Sequence, residues 1–409
     1  MSTGTLSWSM AARLQNERKI VTQSSTASAD KFERIKEIFA REQVEKPLAV
    51  KYGDIPVSYD AITPEWMTAI LCRDTPGAEV TEVMLGDPDT GTSNRRRIYV
   101  EYNQAGRDAG LAKSVFCKAT QDLANRILLS TAGTKSEVRF FNDIRPTLDI
   151  DAPEAYFAAY DPESWASIIV LRDIADEVTF CSHKTEMHED LAHSQMELLG
   201  KVHGQFHESP LFQGKFSDMI VFRDRFHLLC ERNGFEKCCV DGFLASEEFV
   251  PERLFARESE IWPATMRAVD RHKGLPETLT HNDVHLKNWY MRGSAMGLGD
   301  WQVSCRGHWS RDLAYTIGTA LKPEQRRVME RDLVAYYLDR LHAAGGPRVT
   351  FDEAWDHYRE QMLSALAWWT MTLTPAADMP DMQPYDTTRE FIHRLAVAID
   401  DLGSLDIPA

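Results

Sequence analysis

No stretch of this 409-residue sequence reaches the ~18–20 consecutive apolar residues that a bilayer span requires. A membrane partner is therefore not expected. The first twenty residues, MSTGTLSWSMAARLQNERKI, lack a basic start followed by an apolar block, so no signal peptide is read. The seven cysteines are odd in number and include no Cys-x-x-Cys pair; Cys238 and Cys239 are adjacent. That pattern excludes a disulfide framework and a zinc knuckle and points to reduced thiols in a cytoplasmic protein. Positive charge is also short. Lys and Arg total 46 against 62 Asp and Glu, a formal net charge of −16, which argues against a polyanionic partner such as nucleic acid. No internal repeat is present. What remains, 43% hydrophobic and 26% charged residues, is the composition of a globular chain with two or three structural units.

The first 55 residues read as a helical or irregular extension. IVTQSSTASAD is polar and loop-like, and DKFERIKEIFAREQ has helical spacing. ITPEWMTAIL follows, with Thr63 as N-cap and Pro64 at the first helical position. The pattern then turns to strands: VTEVML (80–85), RIYVEY (97–102) and KSVFCKAT (113–120), with GDPDTGTSNR (86–95) as a loop and NQAGRDAG as a turn. RIYVEY alternates, placing Ile98, Val100 and Tyr102 on one face. A helix is expected over roughly 134–145, stopping at Pro146. Two more strand-like runs follow, AYFAAY and SIIVLRDI. After residue 185 the chain is mainly helical, interrupted by LTHNDVHLKNWY and MGLGDW, which read as a β-hairpin with polar residues at its ends.

That polar segment carries the chemistry. Transfer of a phosphoryl group from a nucleotide needs a loop of backbone donors over the phosphates and a lysine held by a carboxylate. It also needs oxygen ligands for metal ions and a base for the attacking hydroxyl. GDPDTGTSNR, between two strands, is where a phosphate-covering turn would sit, or it is an ordinary turn. Lys118 lies in an apolar strand, either reaching solvent from the strand end or paired, because an unpaired buried lysine is costly. Glu137 lies 19 residues on in the expected helix. Asp283 and Asn288 are five apart. The first could accept a hydroxyl proton, and the carboxamide oxygen of the second could ligate Mg²⁺. The hairpin would return Asp300 beside Asn288.

HNDVHLKN followed by GDWQ resembles the H-x-D-x-x-x-x-N … D signature of the aminoglycoside phosphotransferase and choline kinase superfamily, over roughly residues 80–315. The resemblance implies an α+β, two-lobed, protein-kinase-like fold. A small antiparallel-sheet N-lobe with one helix (56–172) would precede a large, mainly helical C-lobe (173–409). It implies Asp283 as catalytic base, His281 and Asp312 as braces of the catalytic loop, and Asn288 and Asp300 as Mg²⁺ ligands. Lys118 would contact the ATP phosphates and pair with Glu137. Gly91, Thr92 and Ser93 would cover the phosphates, and the hinge at Val170, Leu171, Arg172 and Asp173 would receive adenine. The family often has glycine where Asn282 and Lys287 stand, and protein kinases have Phe-Gly where this chain has Trp301-Gln302. ITPEWMTAIL and RGHWSRDLAY look most like the ecdysteroid-kinase-like bacterial phosphotransferases.

The expected activity is ATP- and Mg²⁺-dependent transfer of the γ-phosphoryl group to a hydroxyl of a small molecule. The Trp368–Trp369 pair either packs in the core or walls an acceptor pocket, which would favour a hydrophobic, sterol-like alcohol. The PAADMPDMQPYD segment after it would be a loop near that pocket. The alternatives are an aminoglycoside-type antibiotic kinase and a non-catalytic nucleotide-binding module. A metal hydrolase built on His281, Asp283 and His285, or on the His203/His207 pair, is the remaining reading. The roles of His285 and Lys287 and the oligomeric state stay open.

Overall fold

The computed structural model describes residues 30–408, apart from 377, 378, 380 and 381. Most of the expected N-terminal extension, and four residues of the Pro- and Met-rich segment, lie outside these. Two compact units emerge from the packing. One contains the chain up to Thr134 together with Tyr156–Val170; the other contains Lys135–Ala155 and Leu171 onward.

The first unit is built on a five-stranded antiparallel sheet with strand order β1-β2-β3-β5-β4. Helices α1 (30–45) and α2 (Pro64–Leu71) precede β1 (Val80–Thr90) and β2 (Asn94–Tyr102). Short helix α3 (Gln104–Asp108), β3 (Ser114–Ala119) and α4 (Leu123–Ala132) follow, and β4 (Ala155–Tyr160) and β5 (Ser167–Arg172) complete the sheet. Thr63 caps α2 by accepting a hydrogen bond from the Trp66 amide at 3.1 Å. The alternation in β2 buries Ile98, Val100 and Tyr102 in one core with Trp66 and Met67 of α2. Two local expectations are corrected. The long loop at 86–95 shrinks to Gly91–Ser93, because β1 runs on to Thr90 and pairs there with Asn94. A register shift between Leu85 and Pro88 absorbs the Gly-Asp-Pro sequence, since a bulge accommodates the proline's missing N–H. The turn read at NQAGRDAG is α3, started by Asn103, whose side chain accepts from the Gly106 amide at 3.1 Å.

The second unit is mainly helical. Helix α5 (Thr134–Arg139) begins at the junction and runs into a π-helical turn at Phe140–Ile144 and a 3₁₀ turn at Arg145–Thr147. Then come β6 (Thr179–Phe180), α6 (Glu189–Gln205), α7 (Phe222–Asn233), α8 (Phe235–Leu244), α9 (Glu252–Phe255) and α10 (Glu258–Asp270). Strands β7 (Thr278–Thr280), β8 (Trp289–Arg292), β9 (Ala295–Leu298) and β10 (Cys305–Gly307) carry the polar segment and its hairpin. Helices α11 (Ser310–Ala320), α12 (Pro323–Ala343), α13 (Phe351–Leu373) and α14 (Tyr385–Leu402) close the unit. Glycine lets α6 lie close on α12. A Cβ at Gly200 would stand 2.6 Å from the Arg340 Cβ, and one at Gly204 would stand 2.5 Å from the Leu341 carbonyl oxygen. Among the described residues no helix is long and apolar enough to cross a membrane.

Candidate active site

The segment His281–Asn288 leaves β7 and enters β8, and its shape is imposed by a buried carboxylate on α11. Asp312 accepts from the backbone amides of His281 (2.6 Å) and Asn282 (2.9 Å). His203 of α6 stands 3.3 Å from the same carboxylate through Nε2, and its Nδ1 meets the Tyr337 hydroxyl at 2.8 Å. Burial pushes the Asp312 carboxyl up, but the bond and charge of His203, with His281 and Arg311, hold it below the usual carboxylate range. Asn282 sits at φ +70°, the left-handed region that asparagine and glycine tolerate best. The backbone conformation thus favours asparagine or glycine at this position.

His281 ties this loop to the one after β9. Its Nε2 meets the Gly299 carbonyl at 2.9 Å and its Nδ1 accepts from the Asp283 amide at 3.2 Å. Burial lowers its pKa, so the ring is neutral near pH 7. Its ring meets Trp301 in an edge-type contact at 4.6 Å, and Trp301 stacks in turn on Phe140 at 3.9 Å and 5°. With both His281 nitrogens engaged inside the loops, His281, Asp283 and His285 do not form a metal face. His203 is likewise committed, which removes the His203/His207 pair as ligands. Among the described residues the only cluster of acidic and histidine side chains with metal-ligating proximity is Glu189, His193 and Asp332, on α6 and α12.

Asp283 is half-buried, its side chain 36% exposed. Asn288 donates to its backbone carbonyl (2.8 Å) and to Oδ2 (3.2 Å). His285 Nε2 lies 3.6 Å from Oδ2, and Tyr315 of α11 donates to Oδ1 at 3.3 Å. Burial pushes the Asp283 carboxyl up; the neighbouring His285, with His281 and Arg311, outweighs it and brings the pKa to about 2. The hairpin pairs Trp289 with Leu298, and the Gly299 amide donates to the Asn288 carbonyl at 2.8 Å. Asp300 follows directly, exposed and at φ +57°. Because Asn288 spends its amide nitrogen on Asp283, its carboxamide oxygen is the atom offered to a cation. That oxygen and the Asp300 carboxylate are the hard-oxygen donors here that could hold a Mg²⁺ ion.

The other predicted residues fall on the first unit or at its edges. Lys118 is buried on β3, opposite Arg95 of β2. Gly91, Thr92 and Ser93 form the β1–β2 turn, with the Gly91 amide donating to the Ser93 carbonyl at 3.1 Å. Glu137 is buried on α5. The chain passes from the first unit to the second between Val170 and Leu171, within the predicted hinge segment that ends at Arg172 and Asp173. Lys287 donates to Gln383 at 2.5 Å. Trp369 is buried against His285 and Phe391, with centroids 5.2 and 4.6 Å apart. Its neighbour Trp368 belongs to an aromatic cluster with Phe226, Phe235 and Trp262. A cavity of about 360 Å³ opens beside that cluster, lined by Cys239, Phe243, Ile261, Trp262, Leu366 and Ala367, among others.

Sequence reasoning missed Arg311 and Tyr315. The available signal was helical spacing: in RDLAY they are four apart and share a face of α11 with the expected brace beside them.

Residues 134–360 match the model of the phosphotransferase enzyme family, APH, more than half of the 409-residue chain. The chain belongs to that family. No curated protein sequence matches this phosphotransferase. It is similar to a solved choline kinase from Cryptosporidium parvum Iowa II at 13% identity, covering 81% of this chain and 95% of that one, with a TM-score of 0.48. Choline kinase LicA from Streptococcus pneumoniae gives 12%, 80%, 94% and 0.43. The GDP complex of aminoglycoside 2'-phosphotransferase-IIIa gives 11%, 83%, 99% and 0.49.

Proposed function

We propose that this phosphotransferase moves the γ-phosphoryl group of ATP to a hydroxyl of a small apolar molecule. The observation that carries the reading is the Asp283 carboxylate, half-exposed and hydrogen-bonded through both oxygens, with Asn288 clamped to it and Asp300 brought alongside by the hairpin. Asp283 accepts the hydrogen bond of the acceptor hydroxyl and takes its proton as the oxygen–phosphorus bond forms. A carboxylate of such low basicity suits a loose transition state, in which the proton leaves late. Asn288 and Asp300 hold Mg²⁺, which neutralises phosphate charge when bound. Lys118 contacts the phosphates, the Gly91–Ser93 turn covers them, and the backbone over Val170–Asp173 receives the base. Residues 173–409 supply the catalytic loop and the acceptor pocket. Catalysis rests mainly on positioning and charge neutralisation.

The aromatic cluster supports an apolar acceptor. Phe226 and Phe235 are 5.1 Å apart and Phe235 lies 5.2 Å from Trp368, while half-buried Leu229, Met266, Met379 and Met382 pack against them. The segment carrying these last two methionines also supplies Gln383, the partner of Lys287 in the catalytic loop. An apolar wall beside the loop favours a hydrophobic alcohol over an amine-rich sugar. The seven cysteines are free thiols, in keeping with a cytoplasmic setting.

The test is an ADP-release screen with Mg·ATP against alcohols, sterols, phenols and aminoglycosides. Asp283→Ala should lower turnover on any accepted substrate by about 10²–10⁴-fold while ATP still binds. A variant turning over near the wild-type rate refutes the assignment.

A further inference from the structure

We infer that Tyr315 is a positioning residue for Asp283, its hydroxyl fixing one carboxylate oxygen while the buried guanidinium of Arg311 fixes its ring. This rests on the kinase reading above and adds to it a pair of residues outside the catalytic segment.

Tyr315 is 1% exposed, and its hydroxyl reaches Asp283 Oδ1 at 3.3 Å. Oδ2 receives Asn288 at 3.2 Å and faces His285 at 3.6 Å. The carboxylate is therefore held through both of its oxygens, and loss of the Tyr315 contact leaves it held through Oδ2 alone. Arg311 is wholly buried, and its Nε, Nη1 and Nη2 have no hydrogen-bond partner. A buried cation without a hydrogen-bonded anion is expensive to keep. What it has instead is aromatic: its guanidinium carbon lies 4.4 Å from the centroid of Tyr315 and 5.5 Å from that of Phe222. Both distances fall in the range of cation–π attraction. Arg311 and Tyr315 are four apart on α11, so the helix itself sets the stack. A cation on the ring face withdraws electron density and makes the phenol a stronger donor to a carboxylate. The same helix carries Asp312, which holds the loop backbone. One element thus fixes both the loop and the side chain at its tip.

Two measurements test this, and the first needs no turnover. In protein labelled with 3-fluorotyrosine, the ¹⁹F resonance of Tyr315, assigned by its absence in Tyr315→Phe, should move in Asp283→Ala and in Arg311→Lys, which keeps the charge but not the planar stack. An unmoved resonance in Asp283→Ala overturns the inference. The second is ADP release from Mg·ATP with water as the acceptor. Tyr315→Phe should lower kcat about tenfold, as expected for one lost hydrogen bond to a charged group, with KM for ATP within about twofold of wild type. A purely structural tyrosine would change the unfolding midpoint and leave kcat alone. Tyr315→Phe at wild-type kcat beside an inactive Asp283→Ala overturns the inference alone. Wild-type protein releasing no more ADP than Asp283→Ala overturns the kinase reading and this role with it.

Discussion

Two backbone amides, those of His281 and Asn282, end on the carboxylate of Asp312. Neither has a strand or helix to bond to, so the loop conformation depends on a side chain from another element. Asp312→Ala strands both amides in a buried site, at about 1–3 kcal/mol each. We expect that loss in urea unfolding, with Asp312→Asn recovering part of it because a carboxamide oxygen can still accept from one amide. Midpoints equal to wild type in Asp312→Ala would contradict the account. The polar segment His281–Asn288 stood out in the sequence because its ionisable and amide side chains crowd into eight positions. Tyr315 and Arg311 did not, because a tyrosine and an arginine in an apolar helix have many uses. Only the three-dimensional approach to Asp283 selects among them.

Helices α6 and α12 meet across glycine. Gly204 faces the Leu341 carbonyl and Ala344, and its neighbour His203 is the support of Asp312. Gly204→Ala pushes α6 off α12. An overpacking cost of about 1–3 kcal/mol is expected, read as a lower thermal midpoint, and a neutral result would show that α6 can shift freely. Elements with strong periodicity were legible, including α2, β2 and the hairpin β8–β9. Two local features were not. Asn103 reads equally as a turn residue and as an N-cap, and it caps α3. Pro88 reads as a strand breaker, but β1 takes it at a register shift and continues. Both depend on pairing with residues beyond any local window.

For the whole molecule, a cluster of buried and half-buried histidines contributes a loss of stability in acid. His272 and His308 lie 5.9 Å apart and His308 and His357 lie 4.7 Å apart. Burial lowers His272 to about 3, lowers His308 well below its ordinary value with the help of its histidine neighbours, and lowers His357 and His207 as well. Each takes up a proton less readily folded than unfolded. The unfolded chain therefore binds more protons below its own pKa of about 6.5, and stability rises with pH across that window. Stability should be complete above about pH 6.5 and fall as the pH drops from there towards 3, where His272 itself charges in the folded chain. Urea midpoints at pH 8, 6.5 and 5 check this; equal midpoints at all three would refute it. The order of a small sheet followed by helices was legible in the sequence from its changing period. The membership of residues 135–155 in the second unit rests on contacts such as Tyr290 to Asp151 (2.7 Å) and the Leu298 amide to the Asp151 carbonyl (3.0 Å), which no local pattern announces.

That membership means the backbone changes unit at three places, after Thr134, after Ala155 and after Val170. No single genetic crossover could exchange one unit for that of a relative. A graft at any one junction would carry α5 or β4 into the wrong company. Exchange of a whole unit between relatives would need coordinated crossovers at all three junctions, so substitution within a unit is the shorter route to change.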